Sequence, residues 1–163
     1  MFRTELAVTA TKEFIASNPN ASPNDIADQV VNQQMASALK SFDKVHIIIR
    51  SVITTNFFKG KEIQTYAPVI SIITNSNPIM ERHLIGAIEF ICKDSPKFFP
   101  VMIKQLYDED ALEEDIILEW AGDGRSEYTL DAVDEETRAT LRGEAEALVG
   151  WLQDDDSDEE SDE

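Results

Sequence analysis

The sequence predicts an all-α fold: about eight helices of one to four turns, joined by short connections. Three observations carry this. Apolar residues recur every three or four positions along most of the chain. Ser22–Pro23 and Asn77–Pro78 read as helix starts, with a polar N-cap followed by proline at the first helical position. No Gly-flanked stretch alternates apolar and polar residues as a half-buried strand would.

Residues 2–17 read as a first helix, with Leu6, Phe14 and Ile15 apolar and Asn18–Pro19–Asn20 as its stop. Ser22–Pro23 opens a second, to about Ser41, with Ile26, Val30, Met35, Ala38 and Leu39 on its inner face. Asp43 is suited to cap a third helix carrying Val45, Ile48, Ile49 and Val52. The β-branched run 45–53 has strand-like composition, but its neighbours are helical and no second strand is visible to pair with it. Residues 57–60 break the pattern. A fourth helix, from Lys61 to about Asn75, holds Pro68, which is expected to kink it or delay its start. Ile79 to Cys92 form a fifth, with Leu84, Ile88 and Ile91 in register. Ser95–Pro96 or Phe99–Pro100 opens a sixth, to Tyr107. A helix ending at Trp120 is stopped by Gly122–Asp123–Gly124, and the last runs from beyond Thr129–Asp134 to about Leu152.

The chain has 163 residues, 42 % of them hydrophobic, which fits one domain with a core. No apolar run is long enough for a membrane span, and the N-terminus lacks the apolar stretch of a secretory signal. The single Cys92 fits a reducing, cytoplasmic setting and reads as a small packing residue. The net charge of −18 is unevenly spread: residues 1–106 carry 11 Lys and Arg against 9 Asp and Glu, residues 107–163 carry 3 against 23. Such a C-terminal third repels phosphate and attracts basic polypeptide. The plainer reading is solubility. Residues 1–153 are expected to form the folded, protein-binding domain and 154–163 a disordered acidic tail.

Two stretches stand out. In Tyr107–Trp120, Leu112, Ile116 and Trp120 make one helical stripe, and Glu114, Asp115 and Glu119 lie mostly opposite. Glu144–Gln153 is a second acidic helix, with Trp151 near its end. The pattern Tyr107–Asp108–x–Asp110–x–Leu112–Glu113–Glu114, then Trp120, then Ala145–Leu152 and an acid-rich end, resembles the two acidic–aromatic boxes of one family. That family is the C-terminal domain of eukaryotic translation initiation factor 5, shared with the epsilon subunit of the eIF2 exchange factor and with factor 5 mimic proteins. The match covers roughly residues 100–163. It implies a HEAT-like helical repeat and an adaptor that binds the lysine-rich segment of eIF2 beta and initiation factors 1 and 3. The alternative it leaves is a catalytic fragment of the exchange factor. Two positions depart from the family pattern: Gly150 replaces a bulkier polar or basic residue, and Ala147–Leu148 a Pro–Phe-like pair.

Local physics explains part of the acidity. Asp110 and Glu113 have capping-box spacing, and acids in a first turn suit the helix dipole. Both tryptophans, at helical register, are read as largely buried and as joining the last two helices, with Leu112, Ile116, Trp120, Leu148 and Leu152 as core. Leu118 falls among Glu114, Asp115 and Glu119; it packs under the last helix or takes lysine stems. The resemblance implies partner-binding roles for Tyr107, Asp108, Asp110, Glu113, Glu114, Glu146 and Trp151. The density of carboxylates adds Asp115, Leu118 and Glu119. Ser157 and Ser161 sit among acids and are candidate phosphorylation sites. Lys40, Lys44, Arg50, Lys59 and Lys61 read as solvated, with an acidic partner or RNA as the alternative. One cysteine with His46 and His83 gives no zinc spacing, and no phosphate loop or nucleophile–base arrangement appears, so no cofactor or catalytic residue is expected.

Overall fold

A computed structural model describes residues 2–161, with positions 58, 59 and 155–161 described by backbone alone. The regular structure of the described residues is all helical, without strands. Ten α-helices follow in order: α1 Phe2–Ser17, α2 Pro23–Ala36, α3 Asp43–Val52, α4 Phe57–Gly60, α5 Glu62–Thr74, α6 Pro78–Cys92, α7 Phe99–Asp108, α8 Glu114–Gly122, α9 Glu135–Glu144 and α10 Glu146–Ser161. A 3-10 turn, Pro96–Phe98, precedes α7. The count exceeds the expected eight because residues 57–60 form a helical turn and the last helix is interrupted at Ala145. Leu141, Ala145, Leu148 and Leu152 are buried on both sides of that interruption.

Local chemistry accounts for the starts. Ser22 and Asp25 form a reciprocal capping box, with both side-chain-to-backbone bonds at 3.1 Å. Asn77 accepts the backbone N–H groups of Ile79 and Met80 at 2.9 and 3.1 Å. Asp43 proves to be the first residue of α3 rather than its cap; its carboxylate accepts the Lys40 N–H at 2.9 Å. The second helix stops five residues early. Ala38 takes a left-handed φ of 54°, the Leu39 N–H returns to the Gln34 carbonyl, and Met35 is left 68 % exposed, not on an inner face. Pro68 lies inside α5 without ending it.

Successive helices pair and stack: α1 lies on α2 and α3, α2 on α5, α3 on α6, and α7 to α10 close the other end. The centre is α6, which packs against α3, α5, α7, α8 and α9. Every residue from Glu81 to Glu89 is buried, so this middle part of the helix has no solvent face. Gly86 lets the following layer close on it: a Cβ there would stand 2.2 Å from the Tyr128 carbonyl oxygen. Cys92 is buried against Met102, sulfur to sulfur 3.6 Å, and burial pushes its thiol up to about 12.

The two histidines, 37 positions apart, meet where α3 crosses α6. His46 Nε2 lies 3.4 Å from His83 Nδ1, and the Phe42 ring stacks on His83 at 4.1 Å. Burial, with His83 and Arg50 beside it, pushes His46 down to about 3. Burial also lowers His83, against the pull of Asp43 and Glu127. Both rings are therefore neutral in the fold, whereas in the unfolded chain each takes up a proton below about pH 6.5.

Two predictions follow from this packing. Gly86→Ala lowers unfolding free energy by about 1–3 kcal/mol, as overpacking does, read from urea denaturation midpoints. Stability contributed by neutral His46 is complete above about pH 6.5 and is lost as pH falls toward 3. Urea titrations at pH 7 and pH 5 show a drop that His46→Leu reduces; equal drops in both proteins would refute it.

Candidate acidic interface

The end of α7, the loop 109–113 and the start of α8 make one acidic rim. Asp108 ends α7 and Asp110 turns the chain with φ 61°, left-handed for a non-glycine residue. Ala111 and Leu112 then insert into the core at 3 % and 2 % exposure. The expected capping box between Asp110 and Glu113 does not form, because Asp110 belongs to this turn and α8 starts after Glu113. Glu81 of α6 instead accepts the Glu113 N–H at 2.8 Å. Burial raises Glu81's pKa, and that N–H bond opposes the rise. Glu114 and Asp115 occupy the first turn of α8, where negative charge suits the dipole.

Ser76, Tyr107, Asp108, Asp110, Leu112, Glu113 and Glu114 line a groove of about 570 Å³, and no lysine or arginine lines it. Beside it, Tyr107 meets Trp151 of α10 edge-to-face, centroids 6.1 Å apart. The Lys104 ammonium lies 5.1 Å from the centre of the Trp151 ring and 2.9 Å from Asp108 Oδ2.

The two tryptophans differ, against the expectation that both are buried. Trp151 is 41 % exposed; Leu148 and Leu152 take the inward positions of α10, so its ring falls on the outer side. Trp120 is 3 % exposed. Its ring packs on Phe99 at 5.0 Å and its indole N–H donates to Glu89 Oε2 at 3.3 Å. Arg138 of α9 lies 4.7 Å over that ring, donates to the Trp120 carbonyl at 2.9 Å and pairs with Glu89 at 2.9 Å. Burial raises Glu89's pKa, a rise that Arg138 and the indole N–H offset.

Leu112, Ile116, Leu148 and Leu152 are buried, and Leu118 is half-buried against the core. Glu119 is half engaged inside the fold: it and Asp123 hold Arg82 at 2.9 and 2.8 Å, and Arg82 is 2 % exposed. Asp115 is exposed outside the groove lining, and Glu146 lines a different groove beside Ala121 and Arg142. Ser157 and Ser161 have side chains outside the described residues, as does most of the expected tail 154–163. Of the basic residues, Arg50 lies 4.6 Å over Phe90 and Lys40 5.7 Å from Phe42; the Lys59 side chain is outside the description. Sequence reasoning missed Arg82, Glu89, Asp123 and Arg138. The available signal was charge inside an otherwise apolar helix, at Glu81, Arg82 and Glu89.

A family model described as W2: eIF4-gamma/eIF5/eIF2-epsilon matches residues 80–162, just over half of the chain. The chain belongs to the W2 family. The W2 match spans α6 to α10, and so both acidic–aromatic stretches. One solved structure, "The C-terminal Domain of Translation Initiation Factor 5 at low pH", shares this HEAT-like fold. Its TM-score is 0.71 at 17 % identity, over 96 % of each chain, so the likeness reaches α1 to α5, which the W2 match does not. Among curated proteins no significant match is found. W2 domains are protein-interaction domains of translation initiation factors. No helix of the described residues is long and apolar enough to cross a membrane.

The tryptophans give a direct comparison. Trp120→Ala costs about 3–5 kcal/mol, the usual range for a buried tryptophan. Trp151→Ala costs about 1 kcal/mol or less, as for surface substitutions. Chemical denaturation of the two variants measures both, and equal losses would contradict the division of labour.

Proposed function

We propose that this W2 domain is a non-enzymatic, cytoplasmic adaptor of translation initiation whose acidic groove takes a lysine-rich polypeptide segment. The lysine-rich segment of eIF2 beta is the partner that suits it best, with initiation factors 1 and 3 as further partners in preinitiation assembly. One observation carries the reading: the groove gathers Asp108, Asp110, Glu113 and Glu114 beside Tyr107 with no lining cation. Lys104 illustrates the chemistry on a small scale, its ammonium meeting both a carboxylate and an indole face. Lysine stems would lie on Tyr107 and Trp151 while their heads reach the acids. Asp115, Glu119 and Glu146 add field around the groove rather than contacts within it. The acidic residues from Asp154 onward add more negative charge, and phosphate on Ser157 or Ser161 would raise it further.

Each exposed pair contributes about 0–1 kcal/mol, so affinity depends on several pairs acting together. The experiment is calorimetry with a lysine-rich eIF2 beta peptide. Binding weakens steeply between low and high salt. Replacing Glu113, Glu114 and Asp115 by lysine weakens it about tenfold or more, with helicity unchanged. An adaptor leaves GDP release from eIF2 unaccelerated. Absence of binding at low salt would remove the reading, and accelerated release would replace it with nucleotide exchange.

A further inference from the structure

Residues 107–163 contain three cations, Arg125, Arg138 and Arg142, and all three line one small cavity of about 200 Å³ with Gly124, Glu135 and Ala139. Two are engaged. Arg138 pairs with Glu89, and Arg125 donates to the Val133 carbonyl at 3.0 Å. Arg142 is different: its Nε and Nη2 are buried and have no hydrogen-bond partner. Those two atoms are the side-on edge of the guanidinium, whose parallel N–H bonds match the two oxygens of a carboxylate. A buried guanidinium edge without an acceptor is costly, so its persistence needs a reason.

Arg142 also lines an adjoining groove of about 560 Å³ between α9 and α10. The floor is made of small residues: Ala121, Ala139, Gly143 and Gly150, with Val149. Neither glycine is required by the fold. No glycine takes a positive φ, and a Cβ added at Gly143 or Gly150 would meet nothing within 4 Å. Each sits inside a helix, where glycine is about 1 kcal/mol worse than alanine. They keep a wall of the groove flat enough for another backbone to approach closely. Gly150 is thus one of the two departures from the family pattern, and it falls in this groove.

We infer that Arg142 anchors a second docking groove, separate from the acidic one, which takes a polypeptide segment presenting a single carboxylate flanked by small or apolar side chains. Charge selects this occupant. Glu135 and Glu146 stand exposed on the rims, and the chain carries −18, so a phosphate strand with a charge on every residue is repelled. One carboxylate among apolar neighbours meets the Arg142 edge while its flanks cover Ala121, Val149 and the glycines.

The test uses the ¹⁵N-labelled full chain and follows the Arg142 Nε–H and the Gly143 and Gly150 amides. The probe is a capped helical peptide with one glutamate among alanines and leucines, alongside its glutamine counterpart. Expected are saturable shifts at those three positions, with the glutamine peptide about tenfold or more weaker, as for loss of a charge-assisted bond. Arg142→Gln abolishes the response, and Gly150→Leu, which leaves the guanidinium in place, abolishes it too. Arg142→Gln melts no lower than the parent, because no internal acceptor is lost. No shift with the glutamate peptide, shifts confined to the 107–114 groove, or a lowered melting temperature for Arg142→Gln would each overturn the inference. So would an adenosine RNA oligomer that binds the same positions more tightly than the peptide.

Discussion

The fold depends on the buried pair Glu89–Arg138. Glu89 lies on α6 and Arg138 on α9, at 1 % and 3 % side-chain exposure, and Trp120 of α8 bridges them with its indole N–H and its carbonyl. Three helices are thus joined by one set of charge-assisted contacts. Removing either charge would leave the other buried and uncompensated, a situation that costs several kcal/mol in comparable pairs. The arrangement holds because each charge has more than one contact. The guanidinium has a carboxylate, a carbonyl and an aromatic face, and the carboxylate has the guanidinium and the indole.

The same helix sets how the acids divide. Glu81 faces inward from α6 to the Glu113 N–H, Glu89 pairs with Arg138, and Arg82 draws in Glu119 and Asp123. Several carboxylates of this very acidic chain therefore serve its architecture. Among the carboxylates left at the surface, one group gathers where α7 ends and α8 begins, and the left-handed turn at Asp110 brings its members to one rim.

Helical class was legible because spacing and caps are local: Ser22 with Asp25 and Asn77 with Pro78 act within a few residues of themselves. The acidic groove was legible in composition, and most of its lining residues had been singled out. Three features were not. The fate of Trp151 depends on which face of α10 turns to α8, a tertiary matter that identical helical register cannot decide. Capping-box spacing at Asp110 and Glu113 was present, but the turn needed to bury Ala111 and Leu112 took precedence over it. The end of α2 and Met35's exposure followed from a C-terminal turn centred on Ala38, a residue with no intrinsic preference for a left-handed φ. The Glu89–Arg138 and His46–His83 meetings join residues 49 and 37 positions apart, beyond any local pattern.

Lys104 carries a consequence of its own. Asp108 already holds an ammonium, and that ammonium already lies against Trp151. A ligand cation arriving there enters by exchange, releasing one partner as it gains another. A segment with one positive charge would gain little net free energy from such a trade. A segment with several would profit from every charge beyond the first. On the proposed reading, the resident lysine would set a threshold on the valence of a basic segment.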